Sequence, residues 1–117
     1  MSLVTVKINK VVSLKSIVID TPETASFLVK GQAVNVMFKE TEVVIGSLED
    51  HRISLQNRIK GKVTAVEKGR LLSRVRIATD AGEIGSVIST ASAEKLGLQE
   101  QVAVYAMVKL NETMLLE

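Results

Sequence analysis

Between residues 53 and 63 the chain reads Ile53-Ser54-Leu55-Gln56-Asn57-Arg58-Ile59-Lys60-Gly61-Lys62-Val63. A small hydroxyl, a short polar run and a glycine lead straight into alternating apolar residues. Charge concentrates in the same region. Arg52, Arg58, Lys60, Lys62, Lys68, Arg70, Arg74 and Arg76 lie between positions 52 and 76 against Glu67 alone, while the rest of the chain is neutral to acidic and the net charge is only +2. A local positive field suits an anion. A solvated hairpin face is the plainer reading of the same run, and the charges alone do not choose between them.

Other chemistry finds few residues. There is no Cys, which excludes a disulfide framework and a thiolate metal site and fits a reducing compartment. The lone His51 sits in the charged stretch Leu48-Glu49-Asp50-His51-Arg52, where a solvated imidazole is the simple reading. No carboxylates pair on a recognisable frame, and no G-x-x-x-x-G-K-[ST] phosphate loop occurs. The expectation is non-covalent binding without catalysis. No apolar run reaches the length of a membrane span, and the N-terminus lacks the plan of a signal peptide, so a cytoplasmic protein without membrane insertion is expected.

The elements that must position these residues are strands. Ile59, Gly61, Val63 and Ala65 alternate with Lys60, Lys62 and Thr64, a period-2 strand over 59–66. Glu67-Lys68-Gly69-Arg70 is a turn. Residues 72–78 alternate again, Asp80-Ala81-Gly82-Glu83 turns, and 84–89 form a third strand. Residues 90–97 predict one or two helical turns, capped by Ser89 or Thr90 and ended by Gly97 in the left-handed region. Strands over 102–108 and 113–116 follow. Strand, strand, strand, short helix, strand, strand is the order of a small oligonucleotide/oligosaccharide-binding (OB-like) barrel.

The first half reads as a shorter copy of the second. Val6-Lys7-Ile8 aligns with Val75-Arg76-Ile77, and Val18-Ile19 with Val87-Ile88. After one deletion, Leu28 to Val34 aligns with Leu98 to Val104, and Lys39 to Ile45 with Lys109 to Leu115. We read a partial repeat over 1–48, a linker over 49–52 and a complete repeat over 53–117. Nothing in the first copy corresponds to the strand 59–66. Its barrel therefore has open edges, which invite pairing with another chain: either that strand lies outside this sequence, or another segment fills the gap, including by strand exchange with a partner subunit. Units of about 60 residues are marginal alone, so the two copies are expected to lean on each other or on a second chain.

The run from Ile53 to Val63 resembles the signature Ile-Ser-(Ala/Ile)-Arg-Asn-x-(Leu/Ile)-x-Gly-x-Val of the molybdate-binding Mop, or TOBE, domains. The resemblance is strongest over 32–61 and 82–116. It is similar in layout to the C-terminal region of molybdate transporter ATPases and to the paired Mop domains of molybdate-responsive regulators. It implies an all-β, OB-like barrel with a short helix between strands three and four. It further implies non-catalytic binding of molybdate or tungstate at a subunit or repeat interface, and service as a sensor domain. The implied partners are further copies, as a dimer or higher homo-oligomer, and the DNA-binding or ATPase domain of a parent protein. A tetrahedral dianion needs many donors and partial charge compensation, and backbone N–H groups at turns form anion concavities.

Carried onto this sequence, the resemblance makes Ser54 a hydroxyl and backbone donor and Asn57 the brace of the turn. Lys109 matches the family's lysine, and Lys39 the same lysine in the first copy. Ser86 and Ser89 fall where the family places donors to an anion held by a neighbouring subunit. Three departures stand out. Gln56 replaces the family's arginine and cannot supply a guanidinium fork. Leu110 replaces a serine after Lys109, and Glu40 puts a negative charge after Lys39. Arg58 is the nearest substitute for the missing charge. The metal enters only within the oxyanion.

Plainer readings stand beside these. Ser54 and Asn57 also suit an ordinary strand-opening turn, Lys39 and Lys109 solvated strand ends, and Ser89 a helix cap. Gly61 and Gly82 read as barrel-bend and turn positions. Two other classes of function compete: nucleic-acid binding through the basic hairpin 58–76, and a purely structural dimerisation module. Single-strand binding generally uses aromatic platforms, and Phe27, Phe38 and Tyr105 all lie outside the basic block.

Overall fold

The computed structural model describes residues 1–18, 28–49 and 52–116. In chain order the elements are β1 (Ser2–Lys7), β2 (Ser13–Val18), β3 (Asn35–Met37), a 3-10 turn (Glu40–Glu42) and β4 (Val44–Gly46). There follow β5 (Asn57–Lys68), β6 (Leu72–Thr79), β7 (Gly82–Ser89), α1 (Thr90–Lys95), β8 (Ala103–Val108), a second 3-10 turn (Leu110–Glu112) and β9 (Met114–Leu116). The fold is all-β and OB-like. Alternation decides which side chains turn inward. On β6, Ser73, Val75 and Ile77 are buried while Arg74 and Ala78 face solvent. Val63, Val75 and Ile77 centre a single core that also takes Leu14, Val43 and Ile45 from the first copy. The two copies thus share one interior, as their small size requires.

The second copy forms β5, β6, β7, α1 and β8 close to the expected bounds. The helix is capped as its sequence predicts: the Ser89 hydroxyl accepts from the Ser92 N–H at 3.0 Å, and Gly97 ends it at φ +63°. The last strand departs from expectation. β9 does not join the second copy's sheet. That sheet runs β4-β8-β5-β6-β7, and its edge strand β4 comes from the first copy. β9 pairs instead with β3.

The two exchanges are one operation. A shift of 70 residues carries Val36 to Ala106 and Ile45 to Leu115, and both Val36–Leu115 and Ile45–Ala106 are register partners. The repeat therefore acts as an internal two-fold in which each copy lends its last strand to the other. The order of sequence, 1–48 then 53–117, is not the order in space.

The strand registers correct two alignments. Ser16 on β2 corresponds to Ser86 on β7, so Val18 matches Ile88 rather than Val87. Ile8, aligned above with Ile77, lies in the turn after β1, where its N–H donates to the Val12 carbonyl at 2.9 Å. The β1–β2 turn is longer than the two-residue turn between β6 and β7, and alternation cannot place an insertion inside a turn. Ile19, Phe27 and His51 lie outside the described residues.

In the second copy β5 lies between β8 and β6. The first copy has no strand in that place among the described residues. Its strands consequently form two separate ribbons, β9-β3 and β1-β2.

Candidate functional site

The β5–β8 ladder starts at Asn57 opposite Val108, so Gln56 and Lys109 are adjacent in register just beyond it. Ser54, Gln56, Asn57, Arg58 and Lys109 therefore gather at one end of the sheet. Ser54, Gln56 and Lys109 are exposed, and Arg58 is half-buried with its Nε donating to the Leu55 carbonyl at 3.1 Å. That bond closes the turn leading into β5.

Asn57 is 2% exposed and works differently from its neighbours. Its Oδ1 accepts from the Lys15 N–H at 2.7 Å and its Nδ2 donates to the Lys15 carbonyl at 2.7 Å. The carboxamide thus imitates one rung of a β-ladder and holds β2 against β5. It braces the joint between the copies rather than the turn expected from sequence.

Lys39 and Lys109 occupy equivalent places, each the extended residue before a 3-10 turn. Their carbonyls accept from the Glu42 and Glu112 N–H groups at 2.9 and 3.1 Å, and both side chains are exposed. Behind each turn sits a buried serine. The Ser86 Oγ donates to the Val43 carbonyl at 2.7 Å, and the Ser16 Oγ to the Thr113 carbonyl at 3.3 Å. Ser86 is therefore a structural tie between β7 and the end of the first turn. Ser16, its two-fold mate, was not singled out from sequence because a lone serine inside a strand carries no signal. Ser86→Ala and Ser16→Ala should each destabilise the fold by about 1–2 kcal/mol, since each leaves a carbonyl without its donor. Urea melts would measure this, with Ser86 the costlier because its bond is shorter. Ser89 stands apart, at the head of α1, with its hydroxyl also donating to the Ser92 Oγ at 2.8 Å.

The charge of Glu40, a departure noted above, is met locally. Arg74 Nη2 donates to Glu40 Oε1 at 2.6 Å. That hydrogen bond, and then the carboxylate's charge, raise the Arg74 pKa above the ordinary arginine value. Arg76 lies 3.9 Å from Glu67 and 3.6 Å from Glu83. Two of the basic block's arginines thus face carboxylates, which dilutes the positive field on that hairpin.

Comparison with known proteins points the same way as the motif. The family model described as "TOBE domain" matches residues 53–115. Molybdenum-pterin-binding protein 3 of Clostridium pasteurianum is 38% identical over 65 residues, covering 55% of this chain and 96% of that protein. The molybdenum import ATP-binding protein ModC of Mannheimia succiniciproducens is 34% identical over 86 residues; the match takes in 73% of this chain but only 24% of ModC. Among solved structures, the cytoplasmic molybdate-binding protein ModG with molybdate bound superposes with a TM-score of 0.78 at 26% identity. That alignment covers 90% of this chain and 76% of ModG.

Proposed function

The chain belongs to the TOBE domain family, and on that premise we propose that it binds molybdate or tungstate non-covalently and without catalysis. The observation that carries this reading is the overlap of three things. The family match begins at Ile53, the signature residues gather at one end of the sheet, and a molybdate-bound protein shares the fold over nine-tenths of this chain.

In this reading Ser54 and Lys109 are the principal donors of one site. Ser54 offers an exposed hydroxyl and a turn N–H, and Lys109 an ammonium at the adjoining strand end. Gln56 adds a neutral carboxamide where the family has a guanidinium, and Arg58 supplies nearby positive charge. Lys39 marks the two-fold-related place, where Arg74 offsets the charge of Glu40. Asn57 and Ser86 hold the framework, and Ser89 would face an anion from its exposed cap. The exposure of the donors supports a site completed where copies or subunits meet, because a dianion needs more donors than one exposed end supplies. The match to ModC's sequence supports a role as the sensing part of a larger regulator or transporter ATPase. Ligand held at such a seam would favour the arrangement in which both sides donate to it.

Calorimetry against molybdate, tungstate, sulfate and phosphate tests the proposal. Molybdate and tungstate should bind and raise the melting temperature, while sulfate and phosphate should not. Lys109→Ala and Ser54→Ala should each weaken molybdate at least about tenfold, the loss of one charge-assisted or hydroxyl donor. Wild-type affinity in both variants would remove the site assignment. Equal heats for sulfate and molybdate would remove the ligand.

A further inference from the structure

The internal two-fold sets the two 3-10 turns against equivalent strands. Ser86 ties β7 to the end of the first turn through the Val43 carbonyl, and Ser16 ties β2 to the end of the second through the Thr113 carbonyl. Gly85 and Lys15 therefore correspond, as do Glu40 and Leu110, the first residues of the turns. The strand registers extend the match. Arg74 stands opposite Val87, and Leu3 stands opposite Ile17, the mate of Val87. Arg74 and Leu3 thus hold the same place.

These equivalent places are charged differently. At the first turn, the Glu40 side chain lies over Gly85, in the space a Cβ would take, and Arg74 neutralises its carboxylate at 2.6 Å. At the second turn, leucines replace both members of that pair and a lysine replaces the glycine. Glu42 and Glu112 correspond and cancel in the comparison. The second turn, which opens at Lys109, therefore gathers the ammonium groups of Lys15 and Lys109, where the first has Lys39 beside a neutralised pair. Neither Lys15 nor Lys109 pairs with a carboxylate among the described residues.

Lys15 also sits beside the donors already assigned. The Asn57 carboxamide grips its N–H and its carbonyl at 2.7 Å each, and Gln56 and Arg58 flank Asn57 in sequence. Direction follows from alternation. Lys15 is exposed between buried Leu14 and buried Ser16. Gln56 is exposed and Arg58 half-buried around buried Asn57, and Lys109 is exposed after buried Val108. All of them leave the barrel outward at one end of the sheet, where Gln56 brings no charge and Arg58 turns its Nε to Leu55. We propose that Lys15 is a second cation of the oxyanion site, contributed by the first copy, and that its charge makes the turn at Lys109, rather than the turn at Lys39, the place where the dianion binds. The inference rests on the binding reading above and names the charge that sets its strength. A lysine carries a point charge on a flexible stem, so it serves an anion without disturbing the backbone that Asn57 holds.

The test is molybdate calorimetry on the full chain at about 0.15 M salt, where distant charges are screened. Lys15→Gln should weaken molybdate about tenfold. It should leave the ligand-free melting temperature unchanged, because Asn57 holds the main chain of Lys15 and not its side chain. Lys15→Arg keeps the charge and should bind within about threefold of wild type. Loss of the charge should also flatten the dependence of Kd on salt. Lys68→Gln removes the same charge at the far end of β5 and should change affinity by less than about twofold. Glu40→Gln, which frees Arg74 at the other turn, should do no more. Wild-type affinity in Lys15→Gln would overturn the proposal and leave the molybdate reading intact. Equal weakening by Lys68→Gln would reduce the effect to net charge and overturn it too. So would marked tightening in Glu40→Gln, which would put the anion at the first turn. Failure of the unsubstituted chain to bind molybdate would instead remove the functional reading, and this inference with it.

Discussion

Asn57→Ala should lower unfolding free energy by roughly 2–3 kcal/mol, the loss of two short bonds together with a backbone pair left without partners. In a chain of this size that is a fall in melting temperature of about 10 °C. The effect is large for a polar residue because the carboxamide is the rung that joins β2 to β5. Asn57→Asp separates geometry from charge. The second oxygen would face the Lys15 carbonyl where Nδ2 now donates, and burial and that repulsion would raise the new carboxyl's pKa in the folded state. A folded pKa above the unfolded value, about 4, means the native state binds the extra proton. The variant's stability relative to wild type should therefore be highest below about pH 4 and fall as pH rises through the folded pKa. Thermal melts of both proteins across pH measure the difference, and a pH-independent gap would show that the amide's donor does not matter.

Gly61→Ala is the second large effect. A Cβ at Gly61 would lie 2.5 Å from the Ala78 carbonyl oxygen, 2.7 Å from Ile77 Cγ2 and 2.8 Å from Thr79 Cγ2. The nearest of these is backbone at the end of the β5–β6 ladder where Gly61 pairs with Thr79; it cannot turn aside as a side chain can, so the strands must part. A cost of about 2–4 kcal/mol is expected. Gly85 is the internal comparison. The three atoms nearest a Cβ there all belong to the Glu40 side chain, the first at 2.5 Å, and a carboxylate can swing away at the expense of an exposed ion pair. Gly85→Ala should cost about 1 kcal/mol or less. Denaturant melts in which the two substitutions cost the same would contradict the reading of Gly61 as a close-approach position.

The second copy's strands were legible because alternation of period two is written residue by residue, and α1 because Ser89 and Gly97 bracket it. The gap in the first copy was also legible, as a missing stretch of that alternation. Partnership was not. Residues 44–46 and 114–116 have the same pattern, and nothing in either says which sheet it joins; only the closed core and the two-fold register decide it. The site divides similarly. Sequence brought Ser54, Gln56, Asn57, Arg58 and Lys109 to one place, since four are contiguous or nearly so and the fifth ends the facing strand. It did not reveal that Asn57 reaches across 42 residues to Lys15, that Ser86 is a tie within the framework, or that Ser16 mirrors it. Those roles depend on which backbone lies opposite, a property of packing rather than of residue type.

The crossed final strands bear on how this molecule comes together in time. β3 finds its partner about 80 residues downstream, so no early nucleus can finish the amino-terminal half on its own. Contacts that distant slow the search. Clipping Met114–Leu116 from the tail would wound the end of the molecule that was made first.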